Sequence, residues 1–161
     1  MIFSTFLTFG ALAGLISSTC AQNVGTLIIQ NNCATSVTAK EIDSYNAGNL
    51  LQSFKSPDTI APNEFKSYPW KHTETGASVV VTRGAATSFT KMSYTIGKLG
   101  LKYSLTDING HPFQGDQVLL ETSTEACAIL EYPKGIPVTP TFEPECDPRN
   151  SLTLTLCAQR H

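Results

Sequence analysis

The chain has 161 residues, of which 11 are Lys or Arg and 13 are Asp or Glu, with 41% hydrophobic. A charged fraction of 15% is well below the ~25% of an ordinary globular domain, and with that much apolar content it excludes an intrinsically disordered chain. The formal net charge of −2 leaves no basic footprint, so nucleic acid is not an expected partner.

The first 39 positions carry no charged side chain, the first being Lys40, and the apolar stretch runs only from Phe6 to Ile16. A membrane-spanning helix needs roughly 20 apolar residues, whereas a shorter run followed by small side chains is the pattern of a cleaved secretory signal. Ser18-Thr-Cys-Ala21 supplies those small residues. Residues 1–21 are therefore expected to be a secretory leader and 22–161 a single extracellular domain, secreted and free or associated with a cell wall. No later segment resembles a membrane span.

Removing residues 1–21 also removes Cys20 and leaves Cys33, Cys127, Cys146 and Cys157, an even number for an oxidising route. Four cysteines allow three connectivities, among which sequence does not choose. We expect Cys33–Cys157, joining the first strand to the last, with Cys127–Cys146 stapling the Pro-rich stretch between them. No Cys-x-x-Cys occurs, and His72, His111 and His161 lack ligand spacing, so neither a metal nor a cofactor is expected.

From residue 26 onward the hydrophobic period is two. Residues 26–30, 36–42, 78–82, 89–96, 101–105, 117–121 and 151–156 all read as short strands. Leu152, Leu154 and Leu156 alternate with Ser151, Thr153 and Thr155, which gives one apolar and one wet face. Turn residues separate the runs at 46–48, 56–58, 83–84, 97–100, 109–110 and 133–135. Pro137, Pro140, Pro144 and Pro148 preclude central-strand pairing, so 133–150 reads as a surface loop. No helical stretch competes, and the fold class is all-β, an antiparallel sandwich stapled by two disulfides.

Nucleophile-elbow, P-loop, His-Glu-x-x-His and calcium-loop patterns are absent. Glycoside hydrolysis needs two suitably spaced carboxylates, for which Asp107, Asp116, Glu121, Glu64, Glu143 and Glu145 are the candidates. Asp107 stands out because it follows a strand and opens Asp107-Ile-Asn-Gly-His-Pro-Phe113; its structural role would be an Asx-turn.

Leu101-Lys-Tyr-Ser-Leu-Thr-Asp-Ile-Asn-Gly-His-Pro-Phe113 resembles the signature of small fungal thaumatin-like proteins, the yeast-phase-specific antigen family first named from Blastomyces. Gly25-Thr-Leu-Ile-Ile-Gln-Asn-Asn-Cys33, Ile60-Ala-Pro-Asn-Glu-Phe-Lys-Ser-Tyr68, Gly76-Ala-Ser-Val-Val-Val-Thr-Arg83 and Ser151-Leu-Thr-Leu-Thr-Leu-Cys157 resemble further family segments in the same order. The resemblance implies a secreted thaumatin-like β-sandwich, the first and last cysteines paired, and no cofactor. Larger plant relatives carry an acidic cleft of one Arg and several acids associated with β-glucan binding and weak glucanase activity. Here Asp107 stands where a cleft acid is expected and Arg83 near the cleft arginine, while Lys102 replaces another family acid.

The expected function is a secreted interaction or antigen protein, effector-like, that meets a cell-wall polysaccharide or a host protein as a monomer. Tyr45, Phe65, Tyr68, Trp70 and Phe113 form the candidate aromatic platform, since flat rings stack on sugar faces and on partner side chains. Trp70, which follows Pro69, is the preferred contact. Alternatives are a weak β-glucan hydrolase using Asp107 with a second acid, and an antimicrobial or protease-inhibitor-like protein presenting loop 133–150.

Overall fold

A computed structural model describes residues 25–43, 56–71, 76–98, 100–138 and 143–158. The leader at 1–21, the turn at 46–48, Tyr45, His72 and His161 lie outside them. The described residues contain no helix, and so none long and apolar enough to cross a membrane. The strands are β1 (Thr26–Asn31), β2 (Val37–Asp43), β3 (Asp58–Ile60), β4 (Phe65–Pro69), β5 (Ala77–Arg83) and β6 (Phe89–Ile96), then β7 (Leu101–Ile108), β8 (Gln117–Thr122), β9 (Leu130–Tyr132), β10 (Glu145–Cys146) and β11 (Leu152–Ala158).

These strands form two sheets, in the order β4-β1-β11-β8-β9 and β10-β7-β6-β5-β2-β3. All pairings are antiparallel except β1 with β11, which run parallel side by side. Alternation places Leu27 and Ile29 of β1, Val118 and Leu120 of β8, and Leu152, Leu154 and Leu156 of β11 inward. They meet Val79, Val81, Met92, Tyr103 and Leu105 of the facing sheet in one core.

Each of the seven anticipated strands forms. Two further strands, β3 and β4, flank the turn at 61–64, and β9 extends sheet one. Part of 133–150 is not loop, because Glu145–Cys146 pairs with β7 as β10. Pro144 permits this by supplying only a carbonyl, which accepts from the Tyr103 N–H at 3.3 Å. The turn at 133–135 is fixed by Gly135, at φ 64°, where an added Cβ would lie 1.8 Å from the Phe113 carbonyl oxygen.

Both disulfides connect as expected. Cys33–Cys157 closes a separation of 124 residues beside the β1–β11 pair, and Cys127–Cys146 closes 19 residues at the other end of the sandwich. In the chain-entropy account these loops are worth roughly 5 and 3 kcal/mol.

Next to the first disulfide, Asn31 is fully buried. Its Nδ2 donates to the Ile60 carbonyl at 2.9 Å and the Thr35 carbonyl at 3.0 Å, and its Oδ1 accepts from the Cys33 N–H at 3.0 Å. Replacing Asn31 by Leu strands the buried Ile60 carbonyl and Cys33 N–H and frees the part-buried Thr35 carbonyl, so we expect a loss of about 3 kcal/mol, read from the urea midpoint.

Candidate functional site

The first candidates lie along β4. Its register with β1 sets Phe65 opposite Gln30 and Tyr68 opposite the buried Leu27. Period-two alternation therefore sends Phe65, Ser67 and Pro69 outward and Tyr68 and Trp70 inward. Phe65 is 64% exposed, and Tyr68 and Trp70 are buried.

This corrects the expectation for Trp70, which is a core residue and not a loop contact. Its ring packs on Tyr94 with centroids 4.4 Å apart and planes tilted by 55°, while its Nε1 donates to the Asn150 carbonyl at 3.3 Å. Proline at 69 does not end the alternation, because β4 is an edge strand and bonds only with β1. Tyr68 is occupied as well: its hydroxyl donates to Asp58 Oδ2 at 3.1 Å, and Lys66 pairs with Asp58 Oδ1 at 3.1 Å, which fastens β4 to β3 of the other sheet. Phe113 is wholly buried. Of the five aromatics expected to form a platform, the described residues leave Phe65 on the surface.

Phe65 stands at one edge of an open face. Outward positions in register across the sheet are Phe65, Gln30, Thr155, Leu119 and Glu131, with Ser67, Ile28, Thr153 and Glu121 in the adjacent row. None of these outward side chains is buried. The result is a flat surface on which apolar groups alternate with amide, hydroxyl and carboxylate groups. Phe65 and Glu121 are sequence candidates singly, but the assembly of this surface depends on registry between strands distant in sequence.

Asp107, the catalytic candidate, lies at the inward end of β7. Its Oδ1 accepts from the Thr90 hydroxyl at 2.6 Å and its Oδ2 pairs with His111 Nδ1 at 2.9 Å; its side chain is 2% exposed. The carboxylate thus bonds across the strands and not within an Asx-turn. Arg83 reaches from β5 to Asp116 ahead of β8, Nη1 to Oδ2 at 2.5 Å, and ties the two sheets together at the same end. Arg83 and Asp107, which the resemblance placed near a cleft, are each held by partners of their own. Asp107 is thus held by its neighbours, with its side chain withdrawn from solvent.

The other candidate acids are dispersed. Glu145 sits 3.8 Å from Lys102, Glu121 lies on the outer face beside Thr153, and Glu64 and Glu143 are exposed. No group of three or more metal-ligating side chains occurs among the described residues. Asp147, hydrogen-bonded by Arg149, has its carboxyl pulled down to about 2, and it shares the lining of a surface pocket with Glu145. The sequence reading missed the exposed aliphatic side chains Ile129, Ile136 and Val138, which flank β9 and the 133–135 turn.

A family model described as Bys1, Blastomyces yeast-phase-specific protein, matches residues 14–158. No curated protein matches the chain. Among solved structures, the protein elicitor MoHrip2 from Magnaporthe oryzae superposes with a TM-score of 0.67 at 18% identity, covering 83% of this chain and 99% of that one. The thaumatin-like xylanase inhibitor TLXI superposes with a TM-score of 0.53 at 13% identity, covering 82% and 99%. The two establish the fold as thaumatin-like.

Burial and burial-dependent bonds also set the phenol chemistry. Burial, reinforced by the nearby Asp107 charge, pushes Tyr132 up to about 12; burial followed by the charge and hydrogen bond of Asp58 raises Tyr68, and burial raises Tyr103. In the unfolded chain a phenol ionises near pH 10 while the folded one keeps its proton, so this stability is complete below pH 10 and is lost as pH climbs toward 12. The urea midpoint should fall across that window, and Tyr132→Phe should flatten the fall. Trp70→Ala should cost about 3–5 kcal/mol, whereas Phe65→Ala should change stability by less than about 0.5 kcal/mol, both read by thermal unfolding.

Proposed function

The chain belongs to the Blastomyces yeast-phase-specific protein family, and from that premise we propose that it is a secreted interaction protein, antigen- or effector-like, that binds a cell-wall polysaccharide without hydrolysing it. The observation that carries this reading is the outer face of sheet one, where Phe65 is 64% exposed in a register row with Gln30 and Thr155, none of them buried. An exposed aromatic ring offers a stacking surface for the C–H face of a sugar, and flanking amides and hydroxyls offer the hydrogen bonds that fix its orientation. The occupied Asp107 favours binding over the glucan-hydrolase alternative. Secretion is supported by the composition of residues 1–21 and by two disulfides, which form and persist in oxidising compartments.

A second reading has its own support. Ile136 and Val138 are exposed on the Pro-rich segment that Cys127–Cys146 holds down, as in an inhibitory loop offered to an enzyme of a host. One of the solved structures sharing the fold is described as a xylanase inhibitor.

Purified, oxidised protein should be applied to an array of fungal and plant wall polysaccharides, with soluble-sugar release assayed in the same wells. Retention without release, reduced at least tenfold by Phe65→Ala and unchanged by Asp107→Asn, is the expected outcome. Sugar release abolished by Asp107→Asn would reinstate hydrolysis. Retention on no polysaccharide, combined with inhibition of a glycanase that is lost on Val138→Asp, would favour the second reading.

A further inference from the structure

The face that exposes Phe65 carries charge of one sign. At the outward positions of β4, β1, β11, β8 and β9 the charged side chains are Glu121 and Glu131, and the rest are apolar, hydroxyl or amide groups. Lys66 on β4 has the opposite parity, in register with the buried Ile29, and is paired with Asp58. In the turns at the border Glu64, Glu125 and Lys134 are exposed, while Asp116 and Asp147 are matched by Arg83 and Arg149. Among the described residues the surface is therefore anionic.

Neither Glu121 nor Glu131 forms an ion pair among the described residues; Glu131 accepts from the Gln117 amide through Oε1 at 2.6 Å, which leaves its second oxygen open. Glu131 lies opposite Leu119, two residues before Glu121 on β8, so strand geometry sets the Cα atoms of the two acids ~8 Å apart on a diagonal. Phe65 stands four strands away from Glu131 in the same register row, ~19 Å, which is the length of a short oligosaccharide. The aromatic ring thus holds one margin of the sheet and the two carboxylates the other.

Resting on the reading that this face takes a wall polysaccharide, we infer that the polysaccharide is cationic, a linear β-linked polymer of amino sugars whose amines are free. In such a sugar every ring substituent is equatorial, so axial C–H groups form two flat faces and the ammonium groups stand at the edges. One sugar face stacks on the Phe65 ring, ammonium groups further along the chain meet Glu121 and Glu131 in charge-assisted hydrogen bonds, and hydroxyls between them meet Gln30 and Thr155. Complementarity of charge selects among wall polymers. A uronate polymer would set carboxylate against carboxylate. A neutral glucan, or an amino-sugar polymer with every amine acetylated, would cover the two acids and return no charge to them, at a desolvation cost.

Retention of the oxidised protein on immobilised chitosan, compared with the same polymer after its amines are acetylated, tests the inference. We expect binding at low ionic strength that weakens as salt rises through about 0.15 M, where the Debye length is ~8 Å. Binding should drop at least tenfold in the Glu121→Gln/Glu131→Gln double variant, in Phe65→Ala and, with the wild-type protein, on the acetylated polymer, whereas Glu145→Gln, which removes an acid on the other sheet, should leave it unchanged. The ligand-side arm keeps the test decisive if the double variant folds poorly. Equal retention on the acetylated polymer, or full retention of the folded double variant, would overturn the inference. Tighter, Phe65-dependent binding to a neutral or uronate polysaccharide would overturn it and leave the Phe65 surface as a glycan site, while retention on no polysaccharide would remove both. Tighter binding to polylysine than to chitosan would replace the glycan by a basic peptide.

Discussion

The buried amide of Asn31 is the constraint around which the rest is arranged. A primary amide taken out of water must replace its hydrogen bonds, and Asn31 does so with the Ile60, Thr35 and Cys33 backbone. Its own backbone is engaged as well: its N–H donates to the Glu64 carbonyl, and its carbonyl accepts from the Asn63 N–H. One residue thereby fixes the end of β1, the turn carrying Cys33, and the β3–β4 connection. Because Glu64 is held, Phe65 enters β4 opposite Gln30. The parity that buries Tyr68 and Trp70 and exposes Phe65 follows from a hydrogen-bonded anchor in the interior.

A related economy governs the charged groups near the core. Arg83 is matched by Asp116, Asp107 by His111 and Thr90, and Asp58 by Lys66 and Tyr68, and each set bridges strands or sheets. Such pairs hold geometry and contribute little net energy where solvent reaches them. The positions at which an acidic cleft would be sought therefore serve cohesion. The exposed ring of Phe65 lies apart from them, on the outer face of the first sheet.

Strands with strict alternation, such as Leu152-Thr-Leu-Thr-Leu156, were legible because burial on one face imprints a period of two. The connectivity of the cysteines followed from terminal strands that turn out to be neighbours. What escaped were β3, β4, β9 and β10, short edge elements of two to five residues beside Pro57, Pro69, Pro133 or Pro144. Proline reads as a loop marker, yet an edge strand leaves one row of N–H groups unpaired, so the missing donor costs nothing there. That explains Trp70: its Pro-flanked context suggested exposure, while its position two residues after Tyr68 carried the contrary signal. Phe65 was legible among the candidate aromatics, but the row it shares with Gln30, Thr155, Leu119 and Glu131 was not, since a surface patch assembled from five strands exists only once the register is known.

The parallel pairing of β1 with β11 carries a mechanical consequence. Cys33 follows the end of β1 and Cys157 lies near the end of β11, and the bond between them spans 124 residues of chain. Tension applied between the two ends of the domain passes along β1, crosses the sulfur bridge and leaves beyond Cys157. Every residue from 34 to 156 lies in a covalent side loop that bears no load. A domain tethered by one end and pulled by the other would load β1 and its hydrogen bonds to β4 and β11, while the chain between the two cysteines could not be drawn out, and a protease cut anywhere in that loop would leave the two outer segments joined.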